Sequence, residues 1–259
     1  MLQVQTLLPG VSFGTDSGTP AFCSVFLIEG EKRVVVDSAH VGRRTSLEAA
    51  LQQRGLTPDD IDLVILTHAH WDHVQNIDLF RNARILVHSD ERRYSHQPHR
   101  NDWATPQWTG VVLETMPLLE VGEGYQVMPG LTIMDAPGHS PGSIGVAVET
   151  DLGKAIITGD AMHNAGIALS GRNPLVFWNE EQANRSIARM VAEADVLYPG
   201  HDRAFRLRDG AVEYIEPFSF TLTGVSPETE GLRFIPNPPR AVWIMPGIEE
   251  QRLAPLPRA

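Results

Sequence analysis

Three histidines and one aspartate lie within six residues of one another, in the segment 68–73 that reads HAHWDH. Imidazole nitrogens and carboxylate oxygens are the donors that borderline divalent metals such as zinc prefer. The segment directly follows the apolar residues 61–66, which are typical of a buried strand. We therefore expect this segment to supply ligands to a metal site at the end of that strand.

Three later segments each place one further donor directly after a glycine: Gly138-His139, Gly159-Asp160 and Gly200-His201. Each donor comes shortly after a predicted strand. Strands that end at one edge can present loop side chains to one point, and glycine permits the tight turns that such loops need. Four separate segments thus agree on one site. A closed structural metal site is disfavoured, because such sites are usually rich in thiolate and this chain has one cysteine.

Together these segments resemble the metallo-β-lactamase superfamily of two-metal hydrolases, over roughly residues 20 to 205. The resemblance implies an α+β fold, a four-layer αββα sandwich, where periodicity by itself indicates only mixed α and β structure. It also implies two metal sites that share one carboxylate: His68, His70 and His139 for one metal, Asp72, His73 and His201 for the other, and Asp160 between them. Asp37 is expected to support the site from behind the ligands. Zinc is the default metal, and iron or manganese fit nearly as well.

Such a site predicts a dinuclear metal-dependent hydrolase. Two divalent metals lower the pKa of a bridging water, and we expect the resulting hydroxide to attack a small-molecule lactone or ester. Asp72 is predicted to orient this hydroxide as well as to bind metal. In chain length and in its full ligand set, the protein is similar to the acyl-homoserine lactonases of the family. Those carry a tyrosine three residues after the bridging aspartate. Here the position is His163, interpreted either as its replacement in catalysis or as an incidental loop residue.

The alternative function is a phosphodiesterase, phosphotriesterase or nuclease-like hydrolase of the same superfamily, because residues 55–61 and 198–201 also resemble a nuclease-like branch. The formal net charge of −11 and the absence of a basic cluster in the sequence argue against a nucleic-acid partner. We expect a small-molecule substrate. Relatives of the β-lactamase, glyoxalase and persulfide dioxygenase types fit less well, since each differs in its export signal, C-terminal domain or number of metals.

Composition predicts a globular protein, because 42% of the 259 residues are hydrophobic. Cys23 is alone within an apolar stretch, so we expect a buried structural thiol and no internal disulfide. Neither a leader peptide nor an apolar run long enough to span a bilayer is recognised, and we expect a cytoplasmic protein without a membrane partner.

Alternating apolar patterns predict strands at residues 25–29, 33–37, 63–66, 84–87, 126–128, 131–134, 143–149, 155–158 and 196–198. Helices are expected at 45–54, with a capping box from Thr45 to Glu48, at 74–80, and at 180–194 with Asn179 as N-cap. Residues 1–209 would form the hydrolase domain. Residues 210–259 would form a strand-like, proline-rich extension packed on it, with strands at 212–215, 218–223 and 241–245. These segments predict either pairing with a sheet edge or a homodimer contact.

Residues 91–117 lack a clear period and predict an irregular loop, with at most a helical turn, that is a candidate lid or binding loop. Its Tyr94, Trp103 and Trp108 would line an apolar pocket. Phe177 and Trp178 would form the opposite wall or belong to the core.

The remaining histidines receive separate predictions. His40 lies either near the mouth of the site or in solvent. For His88 we expect local hydrogen bonding, and for His96 and His99 surface exposure.

Overall fold

The computed structural model describes residues 1–235, 241–253 and 255–256, and these form two large sheets and one small sheet. The first sheet contains, in hydrogen-bonded order, β1 (Val4–Leu8), β2 (Val25–Glu29), β3 (Arg33–Val36), β4 (Leu63–Ile65), β5 (Arg84–His88) and β6 (Leu118–Val121). The second contains β7 (Gln126–Met128), β8 (Leu131–Asp135), β9 (Ile144–Thr150), β10 (Gly153–Gly159), β12 (Val196–Pro199), β13 (Phe205–Arg208) and β14 (Ala211–Tyr214), in the order β14-β13-β12-β10-β9-β8-β7. The small sheet pairs β11 (Leu175–Val176) with β15 (Trp243–Ile244).

The helices are α1 (Arg44–Gln52), α2 (Trp71–Val74), α3 (Ser89–His96), α4 (Thr109–Leu113), α5 (Ala165–Ser170) and α6 (Glu180–Glu193). Short 3-10 turns are formed by Val41–Arg43, Pro58–Asp60, Ile77–Leu79 and Ile248–Glu250. None of the helices within the described ranges is long and apolar enough to cross a membrane.

The two large sheets pack face to face because their strands are apolar on both sides. On β3, Val34 and Val36 belong to the core between the sheets, while Val35 belongs to the core on the other face. On β10, Ile157 points between the sheets and Ile156 points outwards. Successive strand side chains alternate between faces, so continuous apolar runs are what a doubly covered sheet requires.

Helices cover both outer faces. Leu47 and Leu51 of α1 pack in the cluster that contains Val35, and Ile187 and Met190 of α6 pack in the cluster that contains Ile156. The expectation of an α+β fold built as a four-layer αββα sandwich is therefore confirmed. Asn179 caps α6 as predicted, since its side chain accepts a hydrogen bond of 2.9 Å from the backbone of Gln182.

Two helix predictions are wrong in detail. The capping box from Thr45 to Glu48 does not form, because α1 begins at Arg44 directly after the 3-10 turn Val41–Arg43, and it is His40 that caps this turn. Residues 74–80 do not form one helix but the end of α2 and a 3-10 turn. The buried Asn76 interrupts them, since its side-chain amide donates to the carbonyls of residues 38, 39 and 40.

The prediction of an irregular loop at 91–117 is wrong in part: α3 and α4 occupy 91–96 and 109–113, whereas 97–108 has no regular structure. Polar residues obscured this helical segment. Arg92 of α3 forms ion pairs with Glu114 (2.7 Å) and Glu120 (2.9 Å), while Tyr94 of the same helix is buried. Tertiary contacts thus fix helices that an isolated sequence of this composition would form poorly.

Beyond residue 209, β14 lies where a strand was expected at 212–215, and β15 lies within the expected strand at 241–245. The strand predicted at 218–223 is wrong: this segment has no regular structure, and Phe218 and Leu222 are exposed. Apolar composition alone cannot make a strand without a neighbouring ladder. Pro236, Pro238, Pro239 and Pro257 of the proline-rich extension lie outside the described residues.

Candidate metal centre

Strand direction brings the four donor segments to one edge of the sandwich. Segment 68–73 follows β4, and His139, Asp160 and His201 follow β8, β10 and β12. Strands β10 and β12 are parallel, so Asp160 and His201 emerge at the same end. The two sheets meet there, because the amide of Ile144 donates to the carbonyl of Thr67 at 2.9 Å. All seven predicted ligand side chains are buried and come together at this edge.

Asp160 lies at the centre of the seven. Its Oδ2 is 3.9 Å from His68 Nε2 and 3.6 Å from His139 Nε2. Its Oδ1 is 3.4 Å from His73 Nε2 and 3.3 Å from His201 Nε2. The two oxygens of one carboxylate therefore face two different groups of donors.

The two groups are each compact enough to surround a cation. One consists of His68, His70, His139 and Asp160, and the other of Asp72, His73 and His201. In the second group, Asp72 Oδ2 lies 3.3 Å from His201 Nε2 and 3.6 Å from His73 Nε2.

Backbone and side-chain acceptors hold the rings from behind. His139 Nδ1 donates to the carbonyl of Leu175 at 2.8 Å, and His201 Nδ1 donates to that of Phe22 at 3.0 Å. His73 Nδ1 is 2.8 Å from Asp37 Oδ2. With Nδ1 engaged, Nε2 of each ring is left for the centre, which is the arrangement typical of metal-binding histidines.

Asp37 lies where the resemblance implied, directly behind a donor. Its carboxylate also accepts from the amide (2.8 Å) and the hydroxyl (2.8 Å) of Thr67, the residue before the first ligand. Its backbone has a positive φ of 61°, a conformation that Asp and Asn tolerate better than most residues. The aspartate is thus held in a strained position that orders the start of the motif loop.

Several donor atoms in the centre are buried without a hydrogen-bond partner among the described residues: Nε2 of His68 and His73, and Oδ1 of Asp160. Unsatisfied buried polar atoms are costly, so a native protein that aims several of them at one point has room for a ligand there. In addition, His70 Nδ1 lies 3.0 Å from His139 Nε2. Ligand atoms at about 2.0–2.1 Å from a tetrahedral zinc lie about 3.3 Å apart, so these donor spacings fit such a cation.

The electrostatics of the centre favour positive charge. Burial lowers the pKa of His68 and His139 well below the usual range, so both imidazoles are neutral, as ligation requires. At His201, burial opposes protonation, but Asp160 and Asp72 outweigh it and raise the pKa to about 9. The negative charge of Asp72 and Asp160, which favours the protonated form of His201, would also favour divalent cations at this position.

Gly200 makes the central carboxylate possible. A Cβ at this position would lie 2.2 Å from Asp160 Oδ1 and 2.8 Å from the carbonyl of Gly159. Only glycine leaves room for this approach.

Glu91 is a buried carboxyl group whose position the sequence did not reveal. It accepts hydrogen bonds from the amides of Ala69 (2.7 Å) and Gly142 (2.9 Å) and from the hydroxyl of Ser140 (2.7 Å). It therefore ties the loop of the motif to the loop that carries His139. Burial, opposed by these three donors, raises its pKa to about 7. Nothing distinguishes Glu91 from its charged neighbours in the sequence, because only the position of α3 brings it beneath the centre.

A cavity of about 290 Å³ opens onto the centre. Asp72, His163 and others of the predicted residues line it, together with Phe13, Trp103 and Phe177. Neither lysine nor arginine is part of the lining formed by the described residues. Apart from the donors of the centre, the polar residues of this lining are Ser12, Thr19 and His163, and the rest of it is apolar.

The aromatic predictions are partly wrong. Tyr94 is buried and donates to Asp102 at 2.9 Å, so it supports the loop 98–104 and does not face the cavity. Trp108 is 49% exposed, and neither it nor Trp178 belongs to the lining. Trp103 and Phe177 do line the cavity, and Phe177 is fully buried against His70 with ring centroids 4.7 Å apart.

His163 lies against the central carboxylate. Its Nε2 is 3.0 Å from Asp160 Oδ2, and its Nδ1 has no hydrogen-bond partner among the described residues. The ring stacks on that of His201 at 5.6 Å and lines the cavity.

The other histidines and the cysteine lie outside the cavity lining. His40 is half-buried between the rings of Phe22 (5.6 Å) and Trp71 (5.4 Å), near the mouth as one prediction had it. His88 accepts from the amide of Asp90, which confirms the expected local hydrogen bond. The predicted exposure of two others is wrong: the side chains of His96 and His99 are 8% and 11% exposed, because they contact Glu114 and Glu250.

Cys23 is fully buried, as predicted. Its thiol donates to the carbonyl of Asp72 at 2.9 Å, and burial raises its pKa above the usual range. A thiol in this state is not a nucleophile but a packing residue behind the motif helix.

Comparison with known families agrees with this geometry. The model of the metallo-beta-lactamase superfamily matches residues 18–201. The chain belongs to this superfamily. The matched region begins before β2 and ends at His201, so it contains all seven donors of the centre. As a member of the metallo-beta-lactamase superfamily, the chain is a metallo-hydrolase.

Curated relatives include metallo-beta-lactamase domain-containing protein 1 of Xenopus laevis, 36% identical over 208 residues, or 79% of this chain and 81% of the relative. For the mouse and human proteins of the same name, the match spans 61% and 64% of their length. The structure of Bacillus thuringiensis AiiA with N-decanoyl-L-homoserine at its active site is 22% identical, with a TM-score of 0.63 over 77% of this chain and 92% of that chain. The dizinc quorum-quenching lactonase AidC is 19% identical, with a TM-score of 0.59 over 77% of this chain and 80% of that chain. At identities of 22% and 19%, the similarity to these two structures shows that the fold is shared and nothing further.

Proposed function

We propose that this protein is a dinuclear metal-dependent hydrolase that cleaves a lactone or ester bond in a small molecule. The observation that carries the proposal is the central carboxylate, whose Oδ2 faces His68 and His139 and whose Oδ1 faces His73 and His201. A site for one metal would not require the second group of donors, Asp72, His73 and His201. Two divalent cations, zinc by default, would be held by the two groups, with Asp160 as the shared ligand.

When bound, such cations supply Lewis acidity and make hydroxide available near neutral pH. Asp72 would orient the attacking water and accept its proton; its position in the cavity lining, 3.3 Å from His201 Nε2, supports this role. His163 would donate a proton to the leaving oxygen; its position in the lining, with Nε2 3.0 Å from Asp160 Oδ2, supports this role. Trp103 and Phe177 exclude water from one side of the reacting group.

The composition of the lining supports a neutral substrate over a phosphate ester. Phosphate recognition normally uses arginine, lysine or a helix N-terminus to hold the spectator oxygens. Among the lining residues that the structure describes, the only basic side chains are imidazoles: three belong to the centre, and the fourth, His163, lies against Asp160. A phosphodiester or nucleic acid would bring negative charge into a cavity without a separate cation to bind it.

The test is turnover by metal-replete protein on an acyl lactone, an aryl ester, bis-p-nitrophenyl phosphate and a phosphotriester, with His68→Ala as blank. We expect the lactone or the ester to be hydrolysed by the wild type and not by the blank. Elemental analysis should give about two metals per chain, with loss of both in Asp160→Ala because both groups share that ligand. Turnover of the phosphate esters alone, or a single retained metal, would refute the proposal.

A further inference from the structure

Residues beyond the matched family region return to the cavity at two points. The family model ends at residue 201. After that residue, Phe220 contacts one side of the cavity and Trp243 the other. Neither ring lines the cavity itself, so both contact lining residues from outside.

Trp243 packs on both aromatic residues of one wall. Its ring centroid is 5.1 Å from Phe177, with the planes at 61°, and 6.1 Å from Trp103. Phe177 in turn lies 4.7 Å from the ring of His70 and 5.3 Å from that of His139. The wall is thus a row of rings that starts at the donors and ends at Trp243.

Backbone contacts attach the same segment to the wall. Strand β15 is the partner of β11, with the amide of Trp243 donating to Pro174 (2.8 Å) and that of Met245 to Val176 (2.9 Å). The side chain of Gln251 donates to the carbonyl of Phe177. An isolated pair of short strands is marginal, so the position of β11 depends on the packing of its partner.

Phe220 makes a similar contact on the other side. Its ring centroid lies 5.3 Å from that of Phe13, which lines the cavity, and 6.0 Å from that of Phe22. Phe13 and Phe22 belong to a segment closed by a bridge between Val11 and Phe22.

We infer that Trp243 is a positioning residue that fixes the apolar wall of Trp103 and Phe177 and thereby sets selectivity for substrates with an extended apolar group beside the scissile bond. The statement about hydrolysis rests on the proposed function, whereas the statement about the wall does not. Trp243 makes an edge-to-face pair with Phe177 and a tilted pair with Trp103, and aromatic pairs of this kind stabilise packing beyond burial alone. Loss of the Trp243 ring removes both pairs and leaves Phe177 with fewer contacts to hold its orientation.

The first test compares p-nitrophenyl acetate, hexanoate and decanoate as substrates of Trp243→Ala. We expect kcat/KM for the two longer esters to fall about tenfold or more through KM, with acetate changed less than about twofold. Trp243→Phe should recover most of the loss, because a ring is retained. Ile244→Ala is the matched control, since Ile244 is the neighbouring residue on the same strand and its side chain is 41% exposed. Metal content should equal that of the wild type in all three variants.

A second test needs no turnover: titration calorimetry with the neutral amides acetamide, hexanamide and decanamide. We expect decanamide to bind the wild type and Ile244→Ala about tenfold more tightly than Trp243→Ala. Equal binding by all variants, or an equal loss for every chain length in Trp243→Ala and no recovery in Trp243→Phe, would overturn the positioning role. Failure of the wild type to hydrolyse either the acyl lactone or any of the esters, with the decanamide difference intact, would refute the proposed function and support the positioning role.

Discussion

Replacement of the buried Glu91 by alanine should destabilise both the fold and the metal centre. The carboxyl group accepts from the amides of Ala69 and Gly142 and from the hydroxyl of Ser140. The hydroxyl keeps a second partner, Ser143 Oγ at 2.7 Å, but both amides lose their acceptor. Because a buried donor without a partner costs about 1–3 kcal/mol, the two amides together cost about 2–6 kcal/mol.

The corresponding fall in the unfolding temperature is on the order of 10 °C, since each kcal/mol is worth about 2–4 °C in a protein of roughly this size. Metal affinity should fall about 10- to 100-fold, because Ala69 lies between two ligands and Ser140 follows a third. Differential scanning calorimetry and metal retention against a chelator measure the two effects. Asp90→Ala is the matched control on the same helix, where the carboxylate is partly exposed and pairs with Arg93 at 3.5 Å.

Glu91→Gln separates charge from hydrogen bonding. Burial raises the pKa of Glu91 from 4.5 to about 7, so the unfolded chain loses this proton at lower pH than the folded chain. The stability that the bound proton contributes is therefore complete below pH 4.5 and is lost as the pH rises to 7. Relative to Glu91→Gln, the free energy of unfolding of the wild type should fall by up to about 3 kcal/mol between these limits. Urea titrations at pH 5 and pH 8 measure this difference.

Two results would refute this reasoning about Glu91. One is an unfolding temperature and metal retention in Glu91→Ala equal to those of Asp90→Ala. The other is a pH dependence of stability that is the same in the wild type and in Glu91→Gln.

Three further predictions concern residues around the centre. Asp37→Asn should keep the positive-φ backbone but weaken the support of His73, so we expect about 10- to 100-fold weaker metal binding in a chelator competition, and unchanged affinity would contradict this role. Gly200→Ala should displace Asp160, because its Cβ would lie 2.2 Å from Oδ1, and elemental analysis should show the loss of metal from both groups; two retained metals would show that the carboxylate can move. Cys23 should react with a disulfide reagent only at the rate of unfolding, because burial raises its pKa, and fast reaction of the native protein would contradict its burial.

Donor types and local patterns were determined by the sequence. The spacing in residues 68–73 and the glycines before His139, Asp160 and His201 indicated the ligand set, because few other arrangements place so many metal donors after strands. Apolar runs such as those of β4 and β10 indicated strands and a mixed α and β protein, whereas the four-layer sandwich was implied only by the resemblance to the metallo-β-lactamase superfamily. The lone Cys23 in an apolar stretch indicated burial.

Tertiary structure alone decided which residues support and enclose the centre. Glu91 and Asp102 lie in a polar stretch without a clear period. The helix that carries Glu91 is held by ion pairs of Arg92 with Glu114 and Glu120, so neither periodicity nor composition revealed that helix. Tyr94 and Trp103 are both aromatic residues of the same segment, and the sequence predicted the same role for both. Tyr94 is buried and donates to Asp102, whereas Trp103 lines the cavity. Contacts between distant segments have no local signature. The attachment of Trp243 to Phe177 and Trp103, which lie far earlier in the chain, is set by the packing of β15 on β11, which only the folded molecule displays.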